Sequence, residues 1–243
     1  MKLAGKTDVG RVRQDNQDDY RAGELPGDAA WLLVCDGMGG ARGGREASQS
    51  ACDVIERCFQ EQYASKCLPG EEETFLKKSL LSANRFVFQK ALREESLAGM
   101  GTTAVLALIE NNVIHLVNVG DSRAYAIDRT GIRQLTKDHS LVQMMVERGE
   151  LTPERARTYP GKNFITRAVG TESVLESDLF HYRLSRGDCL LLCSDGLSNM
   201  MDDQEILFEV VHGVNKQLCC QRLLDIAKSR GAPDNVTSIL VQV

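Results

Sequence analysis

Three times in this chain a largely apolar run of strand length ends in a carboxylate beside glycine. The runs are Trp31-Leu32-Leu33-Val34-Cys35 before Asp36-Gly37, residues 113–119 before Gly120-Asp121, and Cys189-Leu190-Leu191-Leu192-Cys193 before Ser194-Asp195-Gly196. Such a run reads as a buried strand, so each aspartate is delivered from the dry core to the rim on a rigid element. After Asp36, the glycines at 37, 39 and 40 leave space for a ligand and free the backbone carbonyls to face it. A carboxylate beside an exposed carbonyl is a hard-cation site in outline. Taken singly, each stretch is equally a strand ending in an Asp-Gly turn. The recurrence, and a fourth aspartate at Asp234 just before a final apolar strand, argue for convergence on one rim.

The rest of the chain supplies a scaffold for such a rim. Residues 2–9 read as a short strand. A polar patch over 11–20 follows, either a solvated hairpin or an anchor built from Arg13 and Asp18. Odd spacing on a strand would put those two side chains on opposite faces, so a bend near Asn16 is needed to bring both to one site. Ala47, Ala51, Val54, Ile55, Cys58 and Phe59 form a helical stripe, which Leu68-Pro69-Gly70 breaks. Glu71, Glu72 and Glu73 suit the positive end of a second helix, buried through Leu76, Leu80, Ala83, Val87 and Ala91. The two are expected to pair antiparallel, and their stripes are core. Strands are predicted over 104–109, 113–119, 124–127, 178–184, 189–193 and 238–243, and helices over 141–148, 204–211 and 217–230. Residues 149–170 are irregular and basic, with Pro153, Pro160, Arg155, Arg157, Lys162 and Arg167. They are either an ordinary surface loop or a mobile flap beside a site for an anionic substrate. Beyond the strand-end carboxylate there is no internal repeat, low-complexity tract or linker, so one domain over 1–243 is expected.

Charge and cysteine usage narrow the function. The 243 residues carry a formal net charge of −5, which argues against a nucleic-acid binder and fits a protein that holds cations. No run approaches membrane-spanning length, and Met1 to Asp8 lacks the apolar core of a signal peptide. The eight cysteines show no paired CxxC spacing, so structural zinc is not expected. A cytoplasmic protein with free thiols and no membrane partner is the default, and a monomer the default assembly.

Converging carboxylates repel one another, and a divalent cation removes that cost. Oxygen-only ligands point to Mg²⁺ or Mn²⁺. Two such ions bridged by a carboxylate can hold a hydroxide and neutralise a phosphate during in-line displacement. Arg13 would grip the phosphate oxygens. No Ser-His-Asp, Cys-x5-Arg or P-loop constellation offers a nucleophile, which leaves activated water.

These residues resemble the metal-dependent protein phosphatases of the 2C family in their compact bacterial form. Seven ordered motifs carry the likeness over nearly the whole chain: Arg13-Gln14-Asp15-Asn16-Gln17-Asp18, Asp36-Gly37-Met38-Gly39-Gly40, Gly101-Thr102-Thr103, Gly120-Asp121-Ser122-Arg123, Asp138-His139-Ser140, Ser194-Asp195-Gly196 and Asp234-Asn235-Val236-Thr237. The resemblance implies an α+β fold, a four-layer αββα sandwich of two antiparallel sheets packed face to face with helices on both outer faces. It implies hydrolysis of phosphoserine and phosphothreonine on protein substrates, and a cognate serine/threonine kinase whose work the enzyme reverses. By position, Asp36 resembles the carboxylate bridging two Mn²⁺ or Mg²⁺ ions. The Gly37 carbonyl resembles a ligand of the second metal, and Asp195 and Asp234 resemble ligands of the first. Asp18 resembles the residue holding metal-bound water, and Asp121 the one that shares a weaker third metal with Asp195. Arg13 resembles the phosphate-binding arginine, and residues 141–170 the flap.

Two positions depart from relatives of this kind. Met38 stands where many eukaryotic members have a histidine proposed as general acid, and methionine cannot donate a proton. Water on the third metal, or His139, would have to supply it, although a structural role for His139 is favoured. Gln17 stands where many relatives are acidic, which removes one charge from the second metal site. A catalytically silent phosphoprotein-binding module and a hydrolase of small phosphate esters are the competing readings. The full ligand set argues against the first, and competition between phosphopeptides and small esters separates the second.

Overall fold

The computed structural model describes residues 1–66, 70–213 and 215–243. In chain order the elements are β1 (Lys2–Asp8), β2 (Asp18–Leu25), β3 (Ala29–Met38), α1 (Gly40–Lys66), α2 (Glu72–Arg93), β4 (Gly101–Thr102), β5 (Ala104–Glu110), β6 (Val113–Val119), β7 (Arg123–Ile127) and β8 (Ile132–Gln134). There follow α3 (Leu141–Glu147), α4 (Pro153–Ala156), β9 (Asp178–Arg183), β10 (Cys189–Cys193), α5 (Asp195–Ser198), α6 (Asp203–His212), α7 (Lys216–Ser229) and β11 (Val236–Gln242).

One sheet runs β1-β11-β10-β7-β8. The other runs β2-β3-β5-β6-β9, with β4 paired to the far end of β3. The pairings within both sheets are antiparallel. Strand side chains alternate between faces, and both faces of the central strands are covered, which is why the runs at 31–35 and 189–193 are apolar without a polar alternate. Trp31, Leu33 and Cys35 face α1 and α2, whereas Leu32 and Val34 face the opposing sheet, where Leu190, Leu192, Ile239 and Val241 meet them. On the far side Leu191, Cys193 and Leu240 pack under α6 and α7 through Ile206, Val210, Leu223 and Leu224. Three stacked apolar layers therefore separate helix, sheet, sheet and helix, the expected αββα sandwich. Trp31 and Phe59 stack at 4.5 Å between ring centroids and tie β3 to α1.

Several boundaries differ from expectation. The strand expected to end at Cys35 runs on to Met38, because Gly37 and Met38 pair with Thr102 and Gly101 on β4. Asp36 thus sits within the strand, held on both sides, and not in a turn. β11 starts at Val236, two residues before the expected 238. The single-turn helix α5, which opens at Asp195, has too short an apolar pattern to be seen in sequence. The expected break at Leu68-Pro69 lies outside the described residues. The turn at Asn111 and Asn112 has φ of 51° and 61°, the left-handed conformation that asparagine tolerates best among side-chain-bearing residues.

Candidate metal centre and active-site cleft

A cleft of about 480 Å³ opens at one end of the sandwich. Arg13, Asp36, Gly37, Met38, Asp121, Asp195 and Asp234 line it. Each arrives from a different strand end or loop: Asp36 from β3, Asp121 just past β6, Asp195 at the mouth of α5 after β10, and Asp234 two residues before β11. The convergence expected from sequence is therefore present in space.

The backbone of Asp36 is fixed by threonines. Its N–H donates to Thr103 Oγ1 at 2.9 Å, and its carbonyl accepts from Thr103 N at 2.8 Å and Thr102 Oγ1 at 2.9 Å. Gly37 is required by close approach. A Cβ there would lie 2.0 Å from the carbonyl oxygen of Gly44 on α1, and one on Gly44 would lie 2.3 Å from Gln17 Oε1. Gly37 and Gly44 thus let α1 dock directly on the β3 backbone beside Asp36, a use additional to freeing carbonyls.

Asp18 pairs in register with Asp36 and lies buried beneath the cleft floor. Its Oδ2 accepts from Ser194 Oγ at 2.7 Å and Thr237 Oγ1 at 2.6 Å. Its Oδ1 is buried with no hydrogen-bond partner, and so is Oδ1 of Asp195. The other oxygen of Asp195 accepts from Asn199 Nδ2 at 3.0 Å. Arg13 reaches Asp234 Oδ2 at 2.8 Å through one terminal nitrogen, and its side chain is otherwise half-exposed. The bend expected near Asn16 exists as the irregular connection over 9–17, which puts exposed Arg13 on the cleft lining and buried Asp18 opposite Asp36.

Burial and mutual repulsion raise the carboxyls of this cluster together. Burial, and then the charges of Asp18, Asp195, Asp121 and Asp234, push the Asp36 carboxyl well above the usual carboxylate range. Burial raises Asp18 to about 7 against the lowering effect of its two hydroxyl donors. Burial and the charge of Asp234 raise Asp195 to about 6, and burial and Asp195 push Asp121 well upward. Conversely the hydrogen bond to Asp234 raises the Arg13 guanidinium. Two orphaned carboxylate oxygens, in a donor set made only of oxygens, fit a hard divalent cation.

His139 is not in this cleft. Its Nδ1 accepts from Gly120 N at 3.1 Å, and its Nε2 lies 3.3 Å from Asp178 Oδ2 and 3.3 Å from Arg167. With Nδ1 accepting, the ring proton sits on Nε2, toward Asp178. The reading of His139 as proton donor is therefore corrected: it braces the Gly120 turn from behind, in a separate pocket with Lys137 and Glu176. Burial lowers its pKa, which keeps the ring neutral. Gln17 does line the cleft, with Nε2 donating to Gly40 O at 2.9 Å.

Some supporting residues carried no role in the sequence reading. Asn235 accepts from Gln17 N at 2.8 Å and donates to the carbonyls of Val9 and Asp15, so one amide ties down the loop bearing Arg13. Ser194 and Thr237 hold Asp18, and Thr103 and Ser122 share a bond of 2.8 Å behind Asp36. The available signal was a hydroxyl or amide adjoining three of the four strand-end aspartates, at Ser122, Ser194 and Asn235. In the segment over 141–170, Asn163 and Ile165 line the cleft, and Lys162 Nζ donates to Asn199 Oδ1 at 3.1 Å, so this segment touches the residue that holds Asp195.

The sequence profile described as "Protein phosphatase 2C" matches residues 9–224. The chain belongs to this family. It is 38% identical to the serine/threonine phosphatase stp of Listeria monocytogenes over 100% of this chain and 96% of that one. Its structure superposes on the serine/threonine phosphatase Stp1 from Staphylococcus aureus with a TM-score of 0.94 and 34% identity, covering 100% of this chain and 95% of that one. The catalytic domain of the serine/threonine protein phosphatase PstP, in complex with 2 manganese ions, matches with a TM-score of 0.86 and 33% identity, over 99% of this chain and 97% of that one. Family membership makes the chain a metal-dependent phosphatase.

Proposed function

We propose that this chain is a protein serine/threonine phosphatase whose catalytic centre is the Asp36 cleft, with the span 1–243 acting as one catalytic domain. The observation that carries the reading is the meeting of Asp36, Asp121, Asp195 and Asp234 with Arg13 in one cleft over buried Asp18, with two carboxylate oxygens left unpartnered. Asp36, the Gly37 carbonyl, Asp195 and Asp234 would hold two Mn²⁺ or Mg²⁺ ions. Asp121 with Asp195 would hold a weaker third. When bound, the metals supply an activated water and neutralise phosphate charge. Asp18 lends one free oxygen to the cleft floor while Ser194 and Thr237 fix the other. Arg13 uses only one nitrogen on Asp234, which leaves guanidinium donors for the phosphate of the substrate. Met38 lines the cleft and donates nothing, and among the described residues of the lining there is no histidine. Water in the cleft is then the proton source for the leaving alkoxide.

The flap over 141–170 brings Lys162 and Asn163 to the cleft edge and suits a phosphorylated protein segment. We read the partners as phosphoproteins and the serine/threonine kinase that makes them, and the working form as a monomer. Among the described residues no helix is long and apolar enough to cross a membrane, and the seven described cysteines are free thiols, in keeping with a reducing cytoplasm. The test is turnover of a phosphothreonine peptide against an equimolar small aryl phosphate, with Mn²⁺ and after chelation. Metal-dependent preference for the peptide is expected. Turnover that survives complete chelation would overturn the mechanism, and preference for the small ester would overturn the substrate class.

A further inference from the structure

A second group of metal-ligating side chains lies away from the cleft. Glu73, in the first turn of α2, His115 on β6 and His181 on β9 bring their donor atoms to within 4.8 Å of one another. The placement follows from the fold. His115 and His181 are directly opposed in the β6–β9 pairing, which brings their Cβ atoms to about 5 Å. Both point to the helix-covered face, as Val117 and Leu179 do, and not to the opposing sheet. Glu73 meets them from α2. The His115 position is four residues back from the end of β6, about 13 Å by strand rise from the end that leads to Asp121. No residue is shared with the aspartate cleft.

An ordinary surface ion pair accounts for only part of this group. His181 Nε2 lies 2.9 Å from Glu73 Oε1, with both side chains about half-exposed. It does not account for His115, whose Nδ1 is sealed from solvent with no hydrogen-bond partner and whose ring stands edge-on to His181 at 5.6 Å between centroids. A cation bound among the three would take a lone pair from each imidazole and an oxygen from the carboxylate. We propose that Glu73, His115 and His181 form a second metal site, for a borderline divalent ion such as Zn²⁺, that clips the start of α2 to the edge of the sheet.

The chemistry separates it from the catalytic centre. Imidazoles favour Zn²⁺, Ni²⁺ and Cu²⁺ over Mg²⁺, whereas the oxygen-only cleft favours the hard ions. Neighbouring donors in a zinc shell stand about 3–3.5 Å apart, given Zn–N bonds of about 2.0–2.1 Å. The half-exposed ends of Glu73 and His181 are free to supply the closure from 4.8 Å. Three protein donors leave a position for water, so the ion is exchangeable and its occupancy follows supply.

The test is a calorimetric Zn²⁺ titration of the tag-free full chain with the cleft held in excess Mg²⁺, together with a thermal-shift series. The wild-type chain is expected to bind one more Zn²⁺ than His115→Gln or His181→Gln, and Zn²⁺ is expected to raise its melting temperature more than theirs. Asp36→Asn, which damages the cleft, should keep that extra equivalent. His181 is half-exposed, so His181→Gln is expected to fold and to retain Mn²⁺-dependent phosphatase activity, which excludes unfolding as the cause of a loss. Equal Zn²⁺ stoichiometry and affinity in the wild type and both histidine variants would overturn the proposal. So would an extra equivalent that disappears with Asp36→Asn and persists in His115→Gln.

Discussion

Asp18→Asn should make the metal-free protein more stable and flatten its pH dependence. In the metal-free fold the Asp18 carboxyl titrates at about 7, because burial raises it more than its two hydroxyl donors lower it. An aspartate in the unfolded chain titrates near 3.9. A raised carboxyl contributes stability that is complete below the unfolded value and is lost as pH climbs through the folded value. At about 1.4 kcal/mol per pH unit, the full loss from Asp18 is on the order of 4 kcal/mol by pH 8, about half of it between pH 5.5 and 8. For a chain of this size the latter corresponds to a melting temperature lower by about 4–8 °C. His139 acts in the opposite sense, since its lowered pKa makes the fold gain stability as pH rises toward the unfolded histidine value. Comparing wild type with Asp18→Asn at each pH cancels that contribution, and the variant also relieves Asp36 of the Asp18 charge, which widens the difference in the same sense. The assay is scanning calorimetry in chelator from pH 5.5 to 8. The wild type should fall toward pH 8 relative to the variant, and saturating Mn²⁺ should close the gap or reverse it. Parallel curves for the two proteins in chelator would refute the claim that burial raises the Asp18 carboxyl in the folded chain.

Three further outcomes follow from the geometry. Arg13→Ala removes a charge-assisted grip on the phosphate, and at ~1.5–3 kcal/mol for such a bond kcat/KM for a phosphopeptide should fall about 10–100-fold while Mn²⁺ stoichiometry is unchanged. Steady-state kinetics with metal titration checks this. Gly44→Ala places a Cβ 2.3 Å from Gln17 Oε1 and 2.8 Å from Gly37 O, so α1 must back away from β3. A loss of ~1–3 kcal/mol in urea denaturation is expected, with weaker Mn²⁺ binding in the same variant. His139→Ala should cost ~1–3 kcal/mol because the buried Gly120 N–H loses its acceptor, and it should leave the acid limb of the kcat pH profile where it was. A shifted limb would return His139 to the reaction.

The parts of the site visible in sequence are those that follow from strand periodicity. Apolar runs at 31–35, 113–119 and 189–193 each predicted a buried strand with an aspartate at its end, whereas the αββα layering came from the family resemblance, and the structure shows the two central runs of 31–35 and 189–193 covered on both faces. What was not legible depends on pairs of residues far apart in the chain. Nothing in the pattern around Cys35 foretold that β4 would extend β3 past Asp36, because a two-residue strand has no periodicity. The burial of Asp18 against Ser194 and Thr237 spans 176 and 219 residues, and no local signal records it. His139 could be placed in a motif by sequence but not aimed, and its aim toward Gly120 and Asp178 decides its role. Glycine at 37 was legible as space and proved to be a contact between the β3 and α1 backbones at Gly44, a position the sequence did not single out.

Asp36 is expected to hold the catalytic metals together with Asp195 and Asp234. Anomalous diffraction at the manganese edge from Mn²⁺-soaked crystals tests it most directly. Two strong peaks flanking the Asp36 carboxylate, both lost in Asp36→Asn crystals, are the predicted result. Strong peaks that avoid Asp36, or that persist unchanged in the variant, would contradict the account.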